Sequence, residues 1–425
     1  MRGLLLAFAV AAGWIPAFAQ IDPKAPADPA VILLARIRLA AAREFNQLPN
    51  CTCTMTVERS RRAGKRGRFE LVDQLRLEVA LVEGKEAYSW PGAQRFEDRE
   101  LVDIVRGGAI GSGEFAGHAR NVLLSGRTRL HYQGAEDLAG RAVHRFDFEV
   151  PLSDSRFIMR MGQVSAAVGY RGSFWADRET HQLRRLFLEM HEIPPQLALD
   201  HGSVRIDYEH RRLGESRFLL PVEAETSMTT NDGTESRNRT TYTNCRQYTG
   251  ESSLVFEEPD ETESAPAPAS VIDWKLPKDL RVTLRLSAEL LARKTAVGDP
   301  VEFTVQRDAT QRRESWLSKG ARVRMRVAYL RCVDSPVAAC ALALRPESFE
   351  DGNKQGSFTA RMEEPALAAM LAQIGPRGVS QALTTRLRDD YLPPGSSLLL
   401  FSGRRLASNY QTVWRTLENS GGKDP

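Results

Sequence analysis

The stretch Phe69–Lys85, FELVDQLRLEVALVEGK, decides the fold. Phe69, Leu71, Leu75, Leu77, Val79 and Leu81 recur with a spacing of two, the period at which side chains share one face of a β-strand. Glu83-Gly84-Lys85 then supplies turn chemistry. The same signal runs from Cys51 to Phe256. Thr52, Met55 and Val57 precede the quoted stretch. After it come 130–132, 142–150, 169–176, 183–190, 204–208, 218–227 and 237–245. Turns at Asp177-Arg178-Glu179-Thr180, Leu213-Gly214-Glu215 and Asn231-Asp232-Gly233 separate the runs, as antiparallel connections require.

Upstream, Asp28 and Pro29 form an N-cap and first-turn pair ahead of a helix over residues 30–48. Its apolar positions Leu34, Ile37, Leu39, Ala41 and Phe45 crowd much of the circumference, which predicts that most of the helix is covered. Residues 113–124 (GEFAGHARNVLL) predict a short helix lying on or plugging the sheet. One long helix followed by many antiparallel strands indicates an α+β unit, either layered or strongly curved around the helix.

Residues 1–20 begin with Arg2, continue as the apolar run Leu4–Ala12 and end on the small-x-small pattern Ala17-Phe18-Ala19. This predicts a signal peptide over 1–19 and an exported mature protein, periplasmic or extracellular. The net charge is +4 against 58 basic and 54 acidic side chains, which disfavours nucleic acid as a partner. The basic run Arg59–Arg66 reads as a solvated hairpin tip, with peripheral contact to an anionic membrane as the functional alternative. An oxidising compartment permits disulfides among Cys51, Cys53, Cys245, Cys332 and Cys340. Cys332 and Cys340 flank a turn between two strand-like runs. Cys245 can reach Cys51 or Cys53, which share a strand face, so parity leaves both open.

Residues 257–270 (EEPDETESAPAPAS) concentrate acids, prolines and small residues and predict an extended linker. They separate a unit over 28–256 from a second over 271–417. In the latter, Val282–Leu286, Val301–Val305 and Val323–Val327 alternate cleanly, with turns at Ala296–Pro300 and Ser318–Ala321. Residues 365–374 predict a short helix, and 397–401 and 411–417 predict closing strands. The expected architecture is a mainly-β, small antiparallel barrel, because closure removes exposed strand edges.

Gly172-Ser173-Phe174-Trp175-Ala176-Asp177, Thr180, Leu183-Arg184-Arg185, Val204-Arg205-Ile206-Asp207-Tyr208 and Phe218-Leu219-Leu220-Pro221 make the first unit similar to the outer-membrane lipoprotein-sorting family, the periplasmic lipoprotein carriers. The resemblance spans residues 30–256. It implies a curved antiparallel sheet, an unclosed β-barrel with covering helices and an apolar cavity for acyl chains. The insertion around 107–124 and the second unit depart from the simple carriers. Leu48-Pro49-Asn50, Cys53, Asp73, Gly84-Lys85-Glu86 and Tyr88-Ser89-Trp90 also resemble a group of uncharacterised exported bacterial proteins. In the second unit, Leu276-Pro277, Gly298-Asp299-Pro300-Val301 and Lys319-Gly320-Ala321 are similar to a β-barrel domain of envelope secretion channels, although Lys278-Asp279 replaces the usual glycine-threonine.

No catalytic constellation and no cofactor site emerges. His118, His131, His144, His181, His191, His201 and His210 form no metal-site pair. Gly111-Ser112-Gly113 lacks a nucleophile-elbow frame, and no P-loop lysine follows Arg106–Gly111. Glu257-Glu258 falls in the hydrated linker. The expected function is therefore non-enzymatic: binding of a lipid or acylated ligand in the concavity of the first sheet. Alternation nominates Leu75, Leu77, Val79, Phe146, Phe148, Phe174, Leu186 and Leu188 as its lining. The rival is an envelope scaffold binding other proteins over a filled core.

Overall fold

A computed structural model describes residues 28–93, 96, 101–105, 111–247, 272–334, 337–363, 367–374, 377–389 and 392–418. The predicted leader and linker, and the pairs Arg106-Gly107 and Glu257-Glu258, lie outside the described residues.

The chain opens with helix α1 (Pro29–Gln47), whose first turn is capped by Asp28 Oδ1 accepting from Ala30 N at 2.9 Å. The strands that follow are β1 (Cys51–Ala63), β2 (Glu70–Val82), β3 (Lys85–Ser89), β4 (Arg129–Leu138), β5 (Arg141–Val150) and β6 (Ile158–Met161). After them come β7 (Val164–Ala167), β8 (Gly169–Asp177), β9 (Leu183–His191), β10 (Leu199–Leu213), β11 (Ser216–Thr230) and β12 (Thr234–Gln247). Helices α2 (Leu101–Ile104) and α3 (Gly117–Leu123) sit between β3 and β4.

Ten of the strands form one antiparallel sheet in the order β3-β2-β1-β12-β11-β10-β9-β8-β5-β4. The sheet is strongly curled but unclosed, a half-barrel. β6 and β7 stand apart as a two-stranded hairpin. The inner face of β5 and β8–β11 packs on Ile37, Ala41 and Phe45 of α1 and Ala119, Val122 and Leu123 of α3. Only those three α1 side chains are buried. Leu39 is 53% exposed, so the expectation that most of the helix is covered is corrected: the sheet reaches one stripe of it.

The Asp177 turn is built as the sequence suggests. Its Oδ1 accepts from Glu179 N at 3.1 Å and Thr180 N at 3.0 Å, while Arg184 pairs with Oδ2 at 3.1 Å. Disulfides join Cys53 to Cys245 and Cys332 to Cys340, and Cys51 is free and buried. The register distinguishes them: Cys51 pairs with Gln247 and Thr52 with Arg246, which sets Cys53 rather than Cys51 across from Cys245, and parity alone cannot foresee it. Burial pushes the Cys51 thiol up to about 11, leaving it unreactive at neutral pH.

The second unit is a large, mainly antiparallel sheet that curls around one core. That core draws on strands Arg281–Leu286, Pro300–Val305, Arg322–Val333, Ala339–Asp351, Ala360–Met362, Ser397–Ser402 and Gln411–Thr416, with fully buried Trp414 among them. Helix α4 (Leu367–Gln373) corresponds to the expected one. Helix α5 (Arg377–Asp389) was not anticipated; its Val379 and Leu383 pack on Tyr329, Val333, Ala339, Ala341 and Ala343.

The two sheets meet at an edge. Val297 lies in a segment expected to be only a turn, yet it donates to Gln74 O and accepts from Arg76 N, each at 2.8 Å, extending β2 by one bridge. Arg76 Nη1 pairs with Asp299 at 2.7 and 2.5 Å, and Arg331 Nη1 donates to Leu71 O at 2.9 Å. Gly298, at φ +101°, packs so closely that a Cβ there would lie 2.3 Å from Arg76 O and 2.5 Å from the Trp90 ring. Arg326, 4% exposed, donates to Gly298 O at 2.7 Å, Pro91 O at 3.0 Å and Glu347 Oε2 at 2.8 Å. The second unit thus covers part of an edge that would otherwise be open to pairing.

Candidate functional site

The concave face of the half-barrel carries the eight side chains nominated from alternation. All eight are buried, none more than 3% exposed, and they divide into two groups. Phe146, Phe148, Phe174, Leu186 and Leu188 lie beneath α1 and α3, with Phe146 and Phe174 stacked at 5.2 Å between ring centroids. Leu75, Leu77 and Val79 lie at the other side of the sheet with Met55, Val57 and Tyr88, beneath Leu101, Val105 and Phe115. The face is therefore continuous in chemistry but covered by two different pieces of chain.

A buried polar cluster stands beside the second group, and sequence reading did not single it out. Glu86, on β3, accepts from Gly113 N at 2.8 Å, Phe115 N at 3.0 Å and the Tyr88 hydroxyl. It fastens the segment that leads into α3. Within that segment Glu114 is 2% exposed, and its Oε2 has no hydrogen-bond partner among the described residues. Its main-chain carbonyl accepts from Tyr208 Oη at 2.8 Å. Burial raises the Glu114 carboxyl to about 8, and the neighbouring Glu86 adds to the shift. Burial likewise holds the Tyr88, Tyr208 and Tyr242 hydroxyls well above their usual range. The His118 ring packs edge-on against Phe157 at 5.2 Å, and desolvation lowers its pKa.

These shifts have opposite signs in stability. Glu114 binds its proton more tightly in the folded chain, so its contribution is present at acid pH and is lost as pH rises from about 4.5 to about 8. His118 is held neutral when folded, so its contribution is lost as pH falls below the usual imidazole range. The two trends cancel between about pH 4.5 and 6.5, so melting temperature should be level there and fall on either side. Glu114→Gln should flatten the alkaline limb, whose slope is at most about 1.4 kcal/mol per pH unit for one group. Thermal melts of both proteins from pH 5 to 9 check this; parallel limbs would contradict it.

Among the described residues, no group of three or more His, Cys, Asp or Glu side chains is placed to hold a metal ion, and no helix is long and apolar enough to cross a membrane. A cleft of about 190 Å³ on the second unit is lined by Glu302, Arg322, Arg324, Ser348, Phe349 and Glu350. Its largely charged lining does not suit an apolar chain.

No family model and no curated protein matches the sequence. Solved structures are similar over about half of the chain. A DUF1329 family protein from Desulfovibrio piger is 13% identical with a TM-score of 0.27, covering 54% of this chain and 98% of that one. A LolA superfamily protein from Nitrosomonas europaea is 9% identical, TM-score 0.27, covering 51% and 94%. An outer membrane lipoprotein-sorting protein domain from Vibrio parahaemolyticus is 16% identical, TM-score 0.27, covering 51% and 92%. These neighbours include the family that the sequence resembles. At such identities and scores they carry no argument, and the half-barrel rests on the strand order and register described above.

Proposed function

We propose that the chain is an exported, non-enzymatic binding protein of the bacterial envelope, periplasmic or extracellular. Its first unit takes the apolar chain of a lipid or acylated protein between the concave sheet and the helices over it. The observation that carries this reading is the makeup of the cover. An unclosed apolar sheet faces helices rather than a second sheet, and α1 fully buries only Ile37, Ala41 and Phe45 in the contact, with Leu33 and Leu34 partly buried against it. Parting such a cover exposes apolar side chains that an acyl chain would cover again, each of its methylenes contributing about 0.8 kcal/mol. Phe146, Phe148, Phe174, Leu186 and Leu188 would line one end of the path, and Leu75, Leu77 and Val79 the other.

A scaffold that binds envelope proteins is the second reading, favoured by the burial of all eight side chains in the chain as it stands. Organic extraction and mass spectrometry of natively purified protein separate the two. The carrier reading expects an acyl-bearing lipid in the wild type and its loss in Leu186→Trp, with Leu77→Trp as a second variant. The scaffold reading expects no lipid in any of them, and envelope-protein capture unchanged by Leu77→Trp. Overpacking costs about 1–3 kcal/mol, so melting curves identify any variant that merely fails to fold.

A further inference from the structure

We propose that one end of the half-barrel docks on an anionic lipid bilayer, the β1–β2 hairpin supplying cations and the β6–β7 hairpin supplying apolar side chains. The contacts place both hairpins at the same end. Gly64 N donates to Gly233 O at 3.1 Å, which sets the β1–β2 tip beside the β11–β12 turn. Asn231 N donates to Ala198 O at 3.1 Å, bringing in the short turn Pro195–Leu197. Leu197 and Leu199 then pack with Met159 of β6 and Met228 of β11 in one apolar cluster.

At the tip, Arg61, Lys65, Arg66 and Arg68 are exposed. None of the four has an acidic partner among the described residues. The base of the tip is fixed: Phe69 lies between the guanidinium groups of Arg62 and Arg237, at 4.6 and 3.8 Å from the ring centroid, and Arg62 pairs with Glu235 at 2.7 Å. On the neighbouring hairpin Ile158 is 60% exposed and Val164 39%, with Leu152 of the preceding loop at 36%. Ile158 is paired with Ala167, and Val164 with Met161, so the two apolar side chains lie on opposite faces of the ribbon, one face of which packs through Met159 on the Leu197 cluster. The ribbon is anchored through Met159 and leaves Ile158 on its outer face and Val164 beside its turn exposed, side chains that gain from insertion between lipid headgroups. Asp154, Asp200 and Asp232 also lie at this end, and Glu70 stands across from Arg61 on the hairpin. Cations beside solvent-exposed apolar groups match a bilayer bearing negative headgroups, where charge attracts and apolar side chains anchor.

The proposal is independent of the concave face taking an apolar chain, because docking uses only the outer ends of two hairpins. Vesicle co-sedimentation of the folded mature chain tests it, with phosphatidylglycerol–phosphatidylcholine vesicles against phosphatidylcholine alone. Binding to the anionic vesicles is expected, weakening as salt rises. Lys65→Glu/Arg66→Glu/Arg68→Glu should lower partitioning by at least about 100-fold, since each basic side chain near the surface is worth about fivefold. Ile158→Asp/Val164→Asp should lower it by about tenfold at unchanged charge on the tip. All these positions are exposed, so melting temperature should hold. Equal binding to both vesicle types, no binding, or insensitivity to either variant would overturn the proposal. Lipid carried inside the half-barrel is read separately by extraction, so either idea can fail alone.

Discussion

Replacing Arg326 with Met is expected to destabilise the protein by about 3–5 kcal/mol, the cost of breaking a buried charge pair by removing one partner. Arg326 is 4% exposed and bonds the Glu347 carboxylate together with the carbonyls of Gly298 and Pro91. Met fills most of the stem's volume but leaves those acceptors without a donor. Pro91 belongs to the first unit and Glu347 to the second, so the loss falls on the joint as well as on the local strand. Urea unfolding followed by tryptophan fluorescence should show a lower midpoint and the two units parting into separate transitions. A shift equivalent to less than about 1 kcal/mol would mean that the guanidinium is not the element holding the joint.

The second large effect is expected from Cys53→Ala/Cys245→Ala. The bridge spans a sequence separation of 192 residues and ties β1 to β12, neighbouring strands inside the curled sheet. Chain-entropy arguments give about 5 kcal/mol for a loop of that length. The Cys332–Cys340 bridge, separation 8, should contribute only about 2.5 kcal/mol by the same reasoning. Replacing both partners of the long bridge matters, because Cys51 is two residues away and free. Equilibrium unfolding of the two double variants under identical conditions checks the order. If removing the short bridge costs more, loop closure is not what the long bridge supplies.

The sheet was legible because Leu75, Leu77, Val79 and Leu81 alternate without interruption and a one-residue slip would turn all of them outward. Turn chemistry was equally direct at Asp177, where one carboxylate serves two main-chain donors. Other features depend on what folds against what. Leu39 looks like a core residue in sequence, yet α1 fully buries only its Ile37–Ala41–Phe45 stripe and leaves Leu39 exposed. Helix α5 carries Val379, Leu383 and Leu387 at four-residue spacing, a helical signal masked by its charged and polar neighbours. Val297 serves β2 from across the joint, and no local pattern announces a bridge formed that far along the chain. Glu114 stood out in no motif, and Glu86 figured only in a resemblance, for a related reason. Each is an ordinary acid in sequence, and only folding places them side by side beneath three tyrosines.

The reading of function turns on whether the sheet and its cover helices can admit an apolar guest. The most direct measurement is a titration of delipidated protein with a fluorescent long-chain fatty acid. Saturable uptake at one per chain, with emission shifted as in an apolar solvent and abolished by Leu186→Trp, is the result expected. A flat titration from protein that melts cooperatively would contradict it, leaving the curled sheet as a filled core.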